Sequence, residues 1–478
     1  MVPRHRGQAL LAGAALAVAV LTGCAGQEPS QQTSTTSRNK TPNARNNSAT
    51  TLKPRTTTGR ELFALPVPDG IAHGEPVSAP DAWAAPDTYV TTAPYAIQAH
   101  DPLTGAEQWH VPLPGPVCRG SETMTSDGKV ALVFKATRAE NGYCNRLAVI
   151  DTHRGTLLWQ HPLPGKGTKG MGLTVAVTDT TAAAAWNPPG SSTSGALGYS
   201  LDGTRQLWNK PRPDTDLGSS LCGEEYTGGT WLHVTRGCVS DGMTFFSLHR
   251  IDPATGKTLW TYRAREPYAG LYLAESNPMV LAVYDKRDKT ADEPVLTHAT
   301  RLITLADDGT EQTEIPIKDL DAGCSAFTGR CGGIVATADT IYIASDSTKH
   351  PGKITAIDAS TGARKWTTSA QDNRDLAPLR ADGRNGGLIA YESPGETRHS
   401  TIVPGSAARV LHLNPATGTR EVWLQLPDTG AESQDHFKLW GYENLPLFTA
   451  GRLYLRDTTV APSIGNPPWT LAYGAATN

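Results

Sequence analysis

One motif recurs along this chain at a nearly constant interval, and it leaves few folds open. Its fullest form is Ile251-Asp252-Pro253-Ala254-Thr255-Gly256-Lys257-Thr258-Leu259-Trp260. An apolar strand end runs into Asp-Pro-x-Thr-Gly, and a Trp follows four residues after the Gly. Pro fixes φ at the start of a tight turn, and the Asp side chain accepts hydrogen bonds from nearby backbone amides. Gly takes the left-handed conformation that closes the turn. The motif therefore reads as strand, tight turn, strand, with Trp on the second strand.

Six copies keep the aromatic residue, at Trp109, Trp159, Trp208, Trp260, Trp366 and Trp423. A seventh, Leu302-Ile303-Thr304-Leu305 followed by Asp308-Gly309, has Thr313 in its place. Successive Trp residues lie 50, 49, 52, 106 and 57 apart, and the 106 spans the copy without Trp. A repeat of this length holding several strands marks a propeller or a related array. Each Trp is expected to pack between neighbouring units.

Each repeat divides into four strands. In the sixth they fall near Gly332–Ala336, Thr340–Ala344, Lys353–Asp358 and Lys365–Thr368. The tail (Pro446–Thr449, Arg452–Leu455 and Trp469–Tyr473) supplies three and lacks a fourth. Glu61–Pro66 can provide it. A ring closed between the two ends of the chain leaves no open sheet edge. Seven copies plus this shared unit predict an all-β, eight-bladed β-propeller of four-stranded antiparallel blades over residues 61–478. An N-terminal strand completes its last blade. The competing count is seven blades with a separate tail.

An apolar residue, Asp, two residues, Thr-Gly, three residues and Trp resembles the repeat of the pyrroloquinoline-quinone (PQQ)-type propellers. That family includes quinoprotein alcohol dehydrogenases and the non-catalytic lipoprotein of the outer-membrane β-barrel assembly machinery, and the resemblance implies eight four-stranded blades. For the enzymes it also implies adjacent cysteines over the quinone and Glu, Asn and Asp around calcium. This chain has no adjacent cysteines and no match for those ligands, so no catalytic, metal or cofactor residue carries over. Gly-x-Ser-x-Gly, His-Glu-x-x-His, a phosphate-binding Gly-rich loop and an Asp-x-Asp-x-Asp-Gly loop do not occur either. His100, His249 and His412, on or beside third strands, and the turn residues Asp101, Asp151, Asp252 and Asp358 are expected to be structural.

The first residues give an address. Arg4, His5 and Arg6 precede a 13-residue apolar run, Ala9 to Leu21, too short to remain as a membrane-spanning helix. Leu21-Thr22-Gly23-Cys24 then resembles a bacterial lipobox, which implies cleavage before Cys24 and a lipid on its sulfur. Residues 1–23 read as a signal peptide. Residues 24–60 read as the lipidated Cys and a polar tether that buries too little surface to fold. The first 60 residues carry a net +7, so residues 61–478 carry −10 of an overall −3. Nothing in that balance calls for nucleic acid. The expected location is the extracytoplasmic side of the cell membrane.

Six further cysteines remain: Cys118, Cys144, Cys222, Cys238, Cys324 and Cys331. An even number in an exported chain suggests disulfides, with fifteen possible pairings. Pairing within each repeat gives Cys118–Cys144, Cys222–Cys238 and Cys324–Cys331. Long second-to-third connections emerge on the face opposite the Asp-x-x-Thr-Gly turns: Ala136–Cys144, Asn187–Gly195, Tyr284–Thr300, Asp346–Gly352, Glu392–Ala407 and Asp457–Pro468. Loops on a rigid scaffold are where binding usually resides. The functional expectation is a membrane-anchored, non-enzymatic scaffold or recognition module without cofactor, holding a protein or cell-envelope ligand on that face. The alternative is a quinone- or metal-dependent enzyme, or a small-ligand sensor, which requires a carboxylate-lined pocket at the ring axis.

Overall fold

The computed structural model describes residues 57–476 except 68–76, 139–141, 165–171, 187–194, 211–220, 241–242, 286–298, 318–319, 321–323, 325–330, 346–351, 372–373, 384–385, 396–406, 438–445 and 461–467. Cys24 and the signal and tether residues 1–56 lie outside the described residues.

The repeat sets the blades. Blade 1 is Ala82–Ala84, Tyr89–Ala93, Ala96–His100 and Glu107–Pro112, and blade 2 is Val117–Gly120, Lys129–Lys135, Cys144–Asp151 and Thr156–Pro162. Blade 3 comprises Leu173–Val177, Thr181–Trp186, Gly195–Ser200 and Gln206–Lys210. Blade 4 comprises Leu221–Thr227, Leu232–Ser240, Met243–Ile251 and Thr258–Arg263. Blade 5 is Gly270–Ser276, Met279–Tyr284, Arg301–Leu305 and Glu311–Pro316, and blade 6 is Ile334–Ala336, Thr340–Ala344, Lys353–Asp358 and Arg364–Ser369. Blade 7 runs through Leu376–Ala381, Leu388–Glu392, Arg409–Leu413 and Arg420–Gln425. Blade 8 takes Leu447–Thr449, Arg452–Arg456 and Thr470–Ala475 from the tail and its fourth strand, Thr57–Leu65, from the other end of the chain. Neighbouring strands within each blade pair antiparallel, and first strands meet the first strands of adjacent blades. First strands therefore line the axis and fourth strands form the rim. Buried apolar side chains collect into eight clusters, one at each seam between blades, including the seam between blades 8 and 1. The ring is closed.

The closing strand starts at Thr57, four residues inside the segment read from sequence as tether. Gly59 to Leu65 pair antiparallel with Ala475 to Thr470, while Thr57 and Thr58 pair in parallel with Leu424 and Gln425 of blade 7. The start of this strand carries no strand signal, since only Gly59, Phe63 and Leu65 are buried and the first four residues are Thr, Thr, Gly and Arg. One closing strand thus ties blades 7 and 8 into a single eight-stranded sheet.

The Trp positions explain the period. The turn glycines 105, 155, 203, 256, 309, 362 and 418 all have positive φ, between 62° and 83°. The indole of one blade lies flat on the turn glycine of the next. A Cβ on Gly203 would come within 2.2 Å of Trp159, and one on Gly256 within 2.6 Å of Trp208. Trp109, Trp260 and Trp366 cover Gly155, Gly309 and Gly418 in the same way. Three indoles also donate to a turn carbonyl of the following blade: Trp159 to Leu201 at 2.8 Å, Trp208 to Pro253 at 3.0 Å and Trp366 to Pro415 at 2.8 Å. Thr313, in the degenerate copy, keeps that bond through its hydroxyl to Ser360 O at 2.8 Å. At the closure Phe63 takes the position over Gly105. Trp423 departs from the pattern. Blade 8 has no third-to-fourth turn for it to cover, since its fourth strand comes from the other end of the chain. Trp423 stacks instead on His412 of its own blade, with ring centroids 4.7 Å apart.

Candidate functional site

The two faces of the ring differ in construction. On one face the repeat turns are held by their own side chains. Asp101 Oδ1 accepts from the amides of Leu103 and Thr104, both at 2.9 Å, and Asp358 Oδ1 accepts from Ser360 and Thr361 at 3.1 and 3.0 Å. Asp151 and Asp252 act alike. These bonds hold the Asp101, Asp252 and Asp358 carboxyls below the usual range, through Leu103 N–H, the Thr255 hydroxyl and the Ser360 hydroxyl respectively. Each is a backbone cap. The three histidines are likewise bonded: His100 to Gly105 O, His249 to Ser247 and Thr261, and His412 to Gly386 O.

On the other face lie three disulfides, of which one holds the end of a long connection and two tie blade entries. Cys118, on the first strand of blade 2, bonds Cys144 at the start of its third, with Cα atoms 6.1 Å apart. Cys222 and Cys238 face each other across the first two strands of blade 4. Cys324 and Cys331 bridge the entry to blade 6. Most residues of the long connections themselves (139–141, 187–194, 286–298, 346–351, 396–406 and 461–467) lie outside the described residues. At the bases, Arg409 and Arg420 both pair with the fully buried Glu392, at 3.3 and 2.5 Å.

Between the faces, the axis collects ionisable groups that no motif announced. Glu225 lies on the first strand of blade 4 and Glu275 on that of blade 5; Arg119 and Glu122 come from blade 2. Both half-buried carboxyls are pushed up to about 7. Burial is the main cause for each. Arg119 offsets part of it at Glu225, a weak bond from Ala336 N–H at 3.4 Å offsets part at Glu275, and the Glu122 charge adds to both. Burial, then Glu225, raises the nearby Tyr272 hydroxyl to about 12. The adjacent Glu224 points the other way into a buried ion pair, with Arg236 Nη2 at 2.6 Å and the Tyr226 hydroxyl at 3.1 Å. Among the described residues no group of three or more His, Cys, Asp or Glu is arranged to hold a metal ion. The axis can exchange protons at neutral pH and present carboxylates to a cationic group.

This has a measurable consequence. A carboxyl whose folded pKa exceeds its unfolded one stabilises the fold below the unfolded value and loses that contribution as pH rises through the folded value. Glu225 and Glu275 therefore make the ring less stable at pH 8 than at pH 5. Glu225→Gln is expected to melt with wild type at pH 5 and above it at pH 8. The gain is on the order of 1–2 kcal/mol after allowance for solvent reaching the half-buried group. Identical melting differences at both pH values would contradict the assignment.

The repeat, the eight seams and the closing strand together point to one type of propeller. The chain resembles the PQQ-type β-propellers. The model of the family described as "Outer membrane protein assembly factor BamB" matches residues 45–192. BamB from Moraxella catarrhalis superposes with a TM-score of 0.44 at 11% identity, covering 85% of this chain and 100% of that one. A europium-containing methanol dehydrogenase gives 0.40 at 12% identity over 73% of this chain and 80% of its own. The Neurospora crassa Pan2 WD40 domain gives 0.42 at 11% identity over 70% and 93%. At such identities these likenesses carry no argument about activity. Comparison with curated protein sequences found no match.

Proposed function

We propose that this chain is a membrane-anchored extracytoplasmic lipoprotein whose propeller is a non-enzymatic scaffold or recognition module, holding a protein or cell-envelope ligand on the long-loop face. The observation that carries this reading is the placement of all three disulfides at the roots of that face. Cross-linked strand ends give a surface there less freedom to lose on binding. The opposite face repeats one capped turn. The matched family's description, an assembly factor, agrees with a protein that works by holding others. The lipobox at Cys24 supplies the anchor.

In-cell crosslinking from positions within 286–298 and 396–406 tests this, with Cys24→Ala as the mislocalised control. One dominant partner, lost in the control, is expected. Crosslinks spread without preference over both faces would defeat the reading. A second reading rests on Glu225 and Glu275: a small cationic ligand or cofactor at the axis, as in a sensor or a quinoprotein-like enzyme. Mass spectrometry of the purified protein that finds a stoichiometric quinone or metal would favour it.

A further inference from the structure

The repeat breaks at one buried position, and the break is ionic. In four blades the residue paired directly across from the repeat Trp is small or apolar: Ala99 faces Trp109, Val149 faces Trp159, Gly198 faces Trp208 and Ala356 faces Trp366; in blade 7 Trp423 falls at a register shift and stacks on the partly exposed His412. Thr304 faces Thr313 in the degenerate copy. In blade 4 the residue opposite Trp260 is Arg250, and the next one along the row is His233. Arg250 is 6% exposed and His233 1%. A buried guanidinium in a layer that is otherwise apolar costs desolvation free energy. Departures of this kind concentrate at functional sites.

The surroundings lie on the capped-turn face, between the first-to-second turn of blade 4 and the third-to-fourth turn of blade 5. The guanidinium lies 4.7 Å from the Trp231 ring and 5.2 Å from that of Trp260. Trp231 is 42% exposed, among the few large apolar side chains left open to solvent. Arg250 Nε donates to His233 Nε2 at 3.4 Å, and Nη2 reaches Met279 Sδ at 3.8 Å and Asp307 Oδ1 at 3.4 Å. Arg250 can only donate, so His233 Nε2 accepts and its proton sits on Nδ1. That buried Nδ1–H has no acceptor, and neither does the buried Trp260 Nε1–H. Trp260 covers Gly309 without the carbonyl bond that Trp159, Trp208 and Trp366 make, although the turn of blade 3, built like that of blade 5, receives one from Trp159. Three groups of donors thus cluster together, and among the described residues the carboxylate that pairs with them, Asp307, has a 95% exposed side chain and stands at 3.4 Å.

We propose that this donor cluster beside Trp231 is a binding site for a carboxylate attached to a flat apolar group. The carboxylate takes the Arg250 fork that Asp307 now holds loosely, and the apolar group lies against Trp231. Guanidinium recognises carboxylate through paired N–H donors, and stacked aromatic rings hold it in one orientation. The source is either a free small molecule or chain terminus, or an acidic side chain on a protein. The site lies on the face opposite the long loops and does not depend on their role.

The test uses the full-length chain labelled with 15N at its indoles, with Trp231 and Trp260 assigned through their Phe variants. N-acetylphenylalanine is expected to shift both resonances, and its amide is not. Arg250→Lys should weaken half-saturation by about tenfold or more, because a point charge replaces the fork. Asp307→Asn should tighten it about three- to tenfold, because an internal competitor is removed. A capped peptide carrying Phe-Glu internally separates the sources: response to it assigns a side chain, and response to N-acetylphenylalanine alone assigns a free carboxylate. Equal response to acid and amide, no response even in Asp307→Asn, or weakening by Asp307→Asn would each overturn the proposal. An Arg250→Lys variant that melts lower yet titrates like wild type would reduce Arg250 to packing.

Discussion

Removing the closing strand, Thr57–Leu65, is expected to abolish cooperative folding of the whole ring. The strand buries Phe63 and Leu65 and supplies the antiparallel pairing along Thr470–Ala475. Phe63 also occupies the place over Gly105 that a Trp holds at other seams. Loss of a buried Phe and a buried Leu costs about 5–10 kcal/mol, and the ladder hydrogen bonds add about 1 kcal/mol each. That sum is comparable to the total stability of about 5–15 kcal/mol of a typical domain. Near-ultraviolet circular dichroism and calorimetry should find no sharp transition in the truncated chain. A synthetic peptide of residues 57–65 should restore one. A truncated chain that melts like wild type would mean the ring closes without this strand.

The second large effect separates two residues that look alike in the sequence. Trp208→Ala should destabilise by about 3–5 kcal/mol, as for other buried Trp truncations. The indole is 8% exposed, covers Gly256, stacks on Tyr226 and donates to Pro253 O. Trp423→Ala should cost about half of that or less, since Trp423 has no turn to cover and only packs against its seam. Denaturant midpoints of the two variants decide the matter. Equal losses would show that the docking on the next turn contributes little.

The architecture was legible because the turn chemistry is local. Asp, Thr and Gly at fixed offsets determine one hairpin, and its recurrence with Trp determines how blades meet. What the sequence concealed was the substitution of one contact by another. Thr313 keeps the carbonyl bond and loses the ring, while Phe63 keeps the ring and loses the motif. Neither is visible until the seams are built. The axial residues were hidden for a different reason. First strands share no motif, and which of them look at each other depends on the number of blades and on closure. Glu224 and Glu225 are adjacent in sequence, yet strand alternation sends one to an arginine and the other to the axis. Arg250 was readable in principle. Aligning the copies on their turns puts Arg in a column of Ala, Val, Gly, Thr and, in blade 7, His412, and Arg250 stands out there only once it is known to be the buried one.

The pairing of Gly59 with Ala475 also fixes a sequence of events in time. As the chain is made or exported from its first residue, the closing strand appears before any blade, and its main partner, Thr470–Ala475, appears last. Blades 1 to 7 can each complete from contiguous segments within about fifty residues. Phe63 and the exposed ladder of Thr57–Leu65 must wait through the synthesis of every blade that lies between the two partners. During that wait both blade 1 and the waiting strand present uncovered edges, and closure requires a contact of very high sequence separation, the slowest kind to form. The interval before the last residues arrive is when this chain is most open to capture by chaperones, by proteases or by another copy of itself.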